Sequence, residues 1–137
     1  MRVLVIDAQG GGLGRQIVSA IKDSIMGADI TAVGTNSVAT AAMLKAGAKY
    51  AATGENAVRV ACKTADVIVG PIGIVIADSM MGEITAQMAV DIAQSRAKKV
   101  LLPLSSCGNL VVGVREYNIG KLIQEAVEEI KKIFLSL

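Results

Sequence analysis

Short runs of β-branched residues alternate with longer helical patterns along this chain, and that alternation constrains its fold more than any other feature. Residues 3–6 (VLVI) are a continuous apolar run, which indicates a strand buried on both faces. The apolar residues from Leu13 to Ile25 then recur every four positions, as on one face of a helix. Repeated βα units with buried strands predict a mainly parallel sheet covered on both sides. The expected fold class is therefore α/β: one doubly wound, Rossmann-like domain over residues 1–137, with three α/β/α layers.

The remaining elements continue the same pattern. Caps are predicted at Ser37, Thr85 and Asn118, each just before a helical stretch. The last helix is the most regular, since its apolar residues fall on one stripe. The predicted further strands lie at 30–33, 48–52, 67–69 and 100–104, with a sixth compatible with 110–114, and the further helices lie at about 38–46, 55–62, 85–96 and 119–137.

Composition excludes several classes of function. The chain has no histidine, so it holds no Ser-His-Asp triad, no Cys-His pair and no HExxH zinc site. Two cysteines are too few for a zinc ribbon or a secreted disulfide framework. The net charge is only +2 and aromatic residues make up 2%, whereas a nucleic-acid-binding protein usually carries a clustered basic face with stacking aromatics. No apolar run has the length of a signal peptide or membrane span, so we expect a cytoplasmic protein without a membrane partner. From the composition we also expect no metal and no nucleic-acid partner.

The strongest chemical signal is the glycine-rich stretch 7–15 (DAQGGGLGR), between the first strand and the first helix. Such a turn brings backbone N–H groups and the positive end of the helix dipole close to an anion. The spacing departs from G-x-G-x-x-G in either alignment: a start at Gly10 places Arg15 at the third glycine position, and the other alignment has Gln9 at the first. A P-loop interpretation lacks the leading lysine and has Gln16 where the hydroxyl residue should follow Arg15. Two interpretations remain open, a phosphate site or a tight turn alone. The candidate ligand-binding residues here are Asp7, Gln9, Gly10, Gly11, Gly12, Leu13, Gly14 and Arg15.

The end of the second strand argues against an ordinary NAD site. A carboxylate that binds the ribose hydroxyls is expected there, about 20 residues beyond the glycines. The chain instead has Thr35, Asn36 and Ser37, which are compatible with a phosphorylated ribose, with another ligand or with helix capping. The cofactor therefore stays unidentified, with NADP or another nucleotide among the candidates.

A second candidate loop follows the fourth strand, which should flank the same crevice as the first strand. Its candidate binding residues are Gly70, Pro71, Gly73, Asp78 and Ser79. With Glu83 and Asp7, Asp78 offers carboxylates for acid–base work or for an oxygen-liganded metal. The alternative is that these residues serve turns and helix starts. Cys107 is a further candidate at the crevice rim, but nothing near it in sequence would activate a thiol.

Six strings together resemble a short bacterial family, a domain of unknown function without an assigned activity. They are the stretch at 7–15, GTNSVAT at 34–40, ATGENA at 52–57, GPIGIVIADS at 70–79 with GEIT at 82–85, and QSRAKK at 94–99. The resemblance covers most of the chain and implies a Rossmann-like fold. It transfers no catalytic residue.

Three functions remain open from the sequence. The first is a small domain that binds a nucleotide or another phosphorylated small molecule at the glycine-rich turn. The second is an enzyme whose site is completed in a homodimer and uses Asp78, Glu83 or Asp7. The third is a structural or interaction domain that binds no ligand. A homo-oligomer is compatible with all three.

Overall fold

A computed structural model describes residues 1–114 and 118–137. Five parallel strands form one sheet in the order β3-β2-β1-β4-β5. This confirms the predicted α/β class and the parallel sheet. The strands are β1 (Arg2–Asp7), β2 (Asp29–Gly34), β3 (Tyr50–Thr53), β4 (Val67–Pro71) and β5 (Lys98–Leu102).

Helices cover both faces of the sheet. The helices are α1 (Gly12–Ser24), α2 (Ser37–Ala46), α3 (Glu55–Cys62), α4 (Ala86–Gln94) and α5 (Ile119–Leu135), with a 3₁₀ turn at Ile72–Val75. Helices α1, α2 and α5 pack with one face of the sheet, and α3 and α4 pack with the other. The predicted three layers are therefore present.

The first strand shows why its apolar run is unbroken. Val3 and Val5 belong to the core on the α1 side, whereas Leu4 and Ile6 belong to the core on the α3 side. Successive side chains of a strand point to opposite faces, so a central strand covered twice needs apolar residues at every position.

Two local predictions are wrong. Asn36, not Ser37, caps α2: its side chain accepts a hydrogen bond from the Ala39 N–H, and Ser37 is already the first helical residue. Residues 110–114 form no strand, and Leu110 and Val112 are 95% and 97% exposed. An apolar run becomes a strand only where a neighbouring strand takes up its N–H and C=O groups.

The sheet order determines where a ligand site can form. β1 lies between β2 and β4, so the connections after β1 leave on one side and those after β4 on the other. As expected, β1 and β4 flank the switch point, and the loops after β1, β2 and β4 meet at the carboxyl edge of the sheet. No helix among the described residues is long and apolar enough to cross a membrane.

Candidate functional site

Three positions of the β1–α1 turn, Gln9, Gly11 and Gly14, carry constraints that favour glycine. Gln9 has a φ of 53°, in the left-handed region that favours glycine. Gly11 has a φ of 72°, and a Cβ there would lie 2.8 Å from the Cα of Ala39 in α2. A Cβ on Gly14 would lie 2.8 Å from the Cβ of Asp7, so this glycine allows α1 to pack closely on β1. The constrained positions 9, 11 and 14 therefore have the spacing of the alignment that starts at Gln9.

The other two glycines of the turn leave its outer surface open. A Cβ on Gly10 or Gly12 would meet nothing within 4 Å. Within the described ranges, the N–H groups of Gly12 and Leu13 make no hydrogen bond, as is usual at a helix N-terminus. The Arg15 side chain is exposed one turn into the helix. These groups form a bare, positively polarised surface at the start of α1.

Asp7 supports the turn from its inner side. It is only 5% exposed, and its two carboxylate oxygens accept hydrogen bonds from the N–H groups of Ala8 at 2.8 Å and Gly14 at 2.7 Å. Burial raises the pKa of this carboxyl above its ordinary value, the two N–H donors oppose the rise, and the charge of Glu83 adds to it. Asp7 therefore stabilises this turn through both of its oxygens, and a contact of its carboxylate with a ligand stays a prediction.

Glu83, in the β4–α4 loop, connects three loops through one oxygen atom. Its Oε1 accepts hydrogen bonds from the Gln9 N–H at 2.9 Å, the Thr35 hydroxyl at 2.7 Å and the Asn36 side-chain amide at 2.8 Å. The pKa of this carboxyl lies below its ordinary value, because three hydrogen-bond donors stabilise the charged form. The Thr35 hydroxyl has the largest effect, the Gln9 N–H and the Asn36 amide add to it, and burial opposes the shift without cancelling it. Glu83 is thus a negative charge fixed at the carboxyl ends of β1 and β2.

The residues after β2 therefore face a carboxylate that the sequence could not assign to them. Thr35 and Asn36 lie beside the glycine-rich turn, as expected, and Asn36 also donates to the Gln9 carbonyl at 2.9 Å. Ser37 is exposed on the first turn of α2 and is not among these contacts. Glu83 is 48 residues from Thr35, and no local pattern in the sequence signals that pair.

The β4–α4 loop holds an unusual backbone. Asp78, Met80 and Met81 have φ values of 63°, 54° and 60°, and each such residue costs about 1 kcal/mol or more. Ser79 is buried and its hydroxyl donates to the Gly73 carbonyl, which fixes the loop against the end of β4. Asp78 itself is exposed, and the described hydrogen bonds of its loop use its main chain rather than its carboxylate.

The glycines of this loop region have packing roles. A Cβ on Gly70 would lie 2.5 Å from the Ile6 carbonyl oxygen, so β4 and β1 need a glycine there. A Cβ on Gly73 would collide with the Ser105 carbonyl oxygen. Pro71 is buried at the end of β4. Ligand contact by Gly70, Pro71 and Gly73 stays a prediction.

Cys107 reaches the same region from the β5–α5 loop. Its side chain is exposed at the crevice rim, and the Met80 N–H donates to its sulfur at 3.4 Å. Among the described residues, every non-glycine residue with a positive φ lies in one of three loops at the carboxyl edge; they are Gln9, Asp78, Met80, Met81, Ser105 and Cys107. Strained backbone of this kind concentrates at functional sites, which supports this edge as the candidate site.

A large groove lies elsewhere. It has a volume of about 1000 Å³ and is formed at the amino edge of the sheet by the ends of α3, α4 and α5 and the starts of β4 and β5. It is wide open and carries mixed charges, with Arg59 and Lys63 beside Asp66 and Asp91. We place the candidate site at the carboxyl edge instead, because the free N–H groups, the fixed carboxylate and the strained loops meet there. No group of three or more metal-ligating side chains occurs among residues 1–114 and 118–137.

Comparisons with known proteins identify a family. A crystal structure of a dodecameric FMN-dependent UbiX-like decarboxylase from Escherichia coli O157:H7 aligns with a TM-score of 0.47 and 11% identity, over 98% of this chain and 94% of that one. No curated protein matches the chain in sequence. The model of a domain of unknown function, DUF3842, matches residues 2–135. This confirms the resemblance in the sequence motifs, and the chain belongs to the DUF3842 family.

Proposed function

We propose that this domain binds a nucleotide or another phosphorylated small molecule, with a phosphate on the β1–α1 turn. The observation that carries the proposal is the open surface of this turn: a Cβ on Gly10 or Gly12 would meet nothing within 4 Å, and the N–H groups of Gly12 and Leu13 have no partner within residues 1–114 and 118–137. A phosphate at a helix N-terminus needs both features, because its oxygens accept from the N–H groups at close range.

The charges near the turn separate an anion-binding side from an acidic side. Asp7 lies beneath the turn and is buried, whereas the N–H groups of Gly12 and Leu13 have no hydrogen-bond partner among the described residues. The exposed Arg15 guanidinium adds a positive charge within reach of the same surface. Glu83 contacts the turn at Gln9, three residues before Gly12, so the phosphate lies on the α1 side of the turn.

Gly12→Ala tests the proposal without disturbing the fold. Gly12 has no positive φ, and its new methyl group would enter open space, so the free protein should keep its stability. The methyl group would nevertheless stand where the phosphate approaches. We expect calorimetric titration with ADP, GTP, NADH and NADPH to detect binding to the wild type, and Gly12→Ala to weaken it about tenfold or more.

Gly120→Ala is the matched control, since Gly120 also lies in the first turn of a helix and a Cβ there meets its nearest atom at 3.5 Å. Binding by this control should equal that of the wild type. Binding that is unchanged in Gly12→Ala would move the ligand away from this turn. Absence of binding for every probe and for inorganic pyrophosphate would leave the structural or interaction domain as the better interpretation.

An enzyme whose site is completed in a homodimer is the second candidate. It is favoured by one observation: Asp7 accepts a hydrogen bond from the Ala8 N–H and Glu83 accepts one from the adjacent Gln9 N–H, so two carboxylates flank the same turn. Acid–base work would fall to Glu83 and Asp78, because both oxygens of Asp7 accept backbone hydrogen bonds. Light scattering on the purified protein tests this candidate, and a monomer would exclude a site shared between two copies.

A further inference from the structure

Glu83 supplies a carboxylate at the position where residues 34–37 offer none. Thr35 and Asn36, the first two residues after β2, both donate hydrogen bonds to its Oε1. In nucleotide-binding sheets of this topology, a carboxylate at the end of β2 accepts a hydrogen bond from a ribose hydroxyl. Here the carboxylate comes from a different loop and reaches the same end of β2 through space.

We propose that Glu83 determines the specificity of the site: it accepts a hydrogen bond from a ribose hydroxyl of the nucleotide and excludes nucleotides that carry a phosphate on that ribose. This inference rests on the proposed function, since it concerns the nucleoside part of the same ligand. It adds a substrate class, nucleotides with a free ribose diol.

The hydrogen bonds fix the carboxylate and leave one oxygen available. Oε1 receives three donors, whereas Oε2 makes no hydrogen bond within the described part of the chain. The orientation of the Asn36 amide is determined, because its oxygen accepts from the Ala39 N–H and its nitrogen donates to the Gln9 carbonyl. Donors alone surround Oε1, as an ionised carboxylate requires. The side chain is only partly buried, so a hydroxyl can reach Oε2.

The ribose position adjoins the proposed phosphate position. Gln9 donates its N–H to Glu83, and Gly12 lies three residues further along the same turn. A nucleotide with its phosphate on Gly12 and Leu13 therefore has its ribose directed toward the start of the turn, where Glu83 lies. The two ends of the turn thus recognise two parts of one ligand.

The same arrangement disfavours a phosphorylated ribose. A phosphate next to Glu83 would meet a negative charge at short range. The donors that could have held that phosphate, the Thr35 hydroxyl and the Asn36 amide, are already engaged by Oε1. Under this proposal the Thr35 and Asn36 side chains hold Glu83 in place and are not partners of a 2′-phosphate.

Two pairs of nucleotides test the inference by calorimetric titration of the full chain. NADH and NADPH differ only by the 2′-phosphate, and ADP and 2′-deoxy-ADP differ only by the 2′-hydroxyl. We expect the wild type to bind NADH about tenfold or more tightly than NADPH, and ADP about tenfold more tightly than its deoxy form. Glu83→Gln should bring the NADH to NADPH ratio to within about twofold, mainly by improving NADPH binding.

Glu125→Gln, an exposed carboxylate on α5, is the matched control and should keep the wild-type ratio. Glutamine keeps an oxygen that can accept the three hydrogen bonds, so Glu83→Gln should fold normally, which circular dichroism checks. Equal or tighter NADPH binding by the wild type, or an unchanged ratio in Glu83→Gln, overturns the inference. Pyrophosphate binding that depends on Gly12, without binding of any of the four nucleotides, overturns it while the phosphate site stands; no binding of any phosphorylated probe overturns both.

Discussion

Gly14 is a glycine of the turn whose replacement should damage the fold through packing alone, since its φ is not positive. A Cβ there would lie 2.6 Å from the Met43 sulfur, 2.8 Å from the Asp7 Cβ and 3.0 Å from the Asp7 Oδ2. Gly12, two residues earlier in the same helix, has nothing within 4 Å of an added Cβ. The two substitutions to alanine therefore share their chemistry and their helix but differ in packing.

The expected loss of stability follows from three contributions. Alanine in place of glycine stabilises a helical position by about 0.5–1 kcal/mol. Overpacking a well-filled interface costs about 1–3 kcal/mol. Any shift of α1 away from β1 also weakens the 2.7 Å hydrogen bond from the Gly14 N–H to Asp7, which adds about 1 kcal/mol. We expect Gly14→Ala to lose about 1–3 kcal/mol net, or about 4 °C of melting temperature for each kcal/mol.

Urea denaturation followed by far-ultraviolet circular dichroism measures the difference. The Met43 sulfur lies at the end of a flexible side chain and can move, whereas the Asp7 Cβ is fixed to β1. Gly14→Ala should therefore remain destabilising in a Met43→Ala background, where the sulfur contact is gone. The reasoning is refuted if the unfolding free energy of Gly14→Ala lies within about 0.5 kcal/mol of that of Gly12→Ala.

Two further predictions concern titratable groups. Cys107 is exposed, whereas burial raises the pKa of the Cys62 thiol to about 11, so a disulfide reagent should label Cys107 in the native protein and Cys62 only after denaturation. The folded pKa of Glu83 lies below its ordinary 4.5, so the ionised carboxylate stabilises the fold above pH 4.5. This contribution is lost as the pH falls from 4.5 through the folded pKa. The folded pKa of Asp7 lies above its ordinary 3.8, so its contribution changes in the opposite direction and favours the folded state in acid. Denaturation at neutral and at acid pH measures both effects. On going to acid pH, the unfolding free energy of the wild type should fall relative to that of Glu83→Gln and rise relative to that of Asp7→Asn. The same change with pH relative to both variants would contradict this reasoning.

The fold can be predicted from the sequence because the patterns that indicate its helices and strands are local. The apolar run at 3–6, the four-residue recurrence in α1 and the cap residues Thr85 and Asn118 each act within one element, and the structure has each of them. Parallel sheets bury their central strands, so β1 and β4 were the easiest to recognise. The edge strand β3 lies at Tyr50–Thr53, later than the predicted 48–52, because an edge strand is defined by its single neighbour as much as by its own residues.

The wrong predictions also have local causes. Asn36 and Ser37 are both good capping residues, and the choice between them depends on which one leaves the strand in an extended conformation. Asn36 has φ −141° and ψ 166°, which is extended, so it takes the cap and its amide remains free to face Gln9 and Glu83. The cap residue is thus also a member of the candidate site, which a capping rule alone could not indicate.

The site itself depends on two properties that a single sequence hides. Gln9 departs from the glycine pattern by residue type, yet its φ of 53° lies in the left-handed region that glycine favours. Its N–H then points to Glu83, which is 74 residues away, so the strained turn and the distant carboxylate stabilise each other. A search of the sequence for the fingerprint looks for an acidic residue at the end of β2 itself. Ribose binding requires only that a carboxylate reach the end of β2, whichever loop supplies it. The absence of an acid at 34–37 therefore says little about ribose binding until the loop that faces those residues is known.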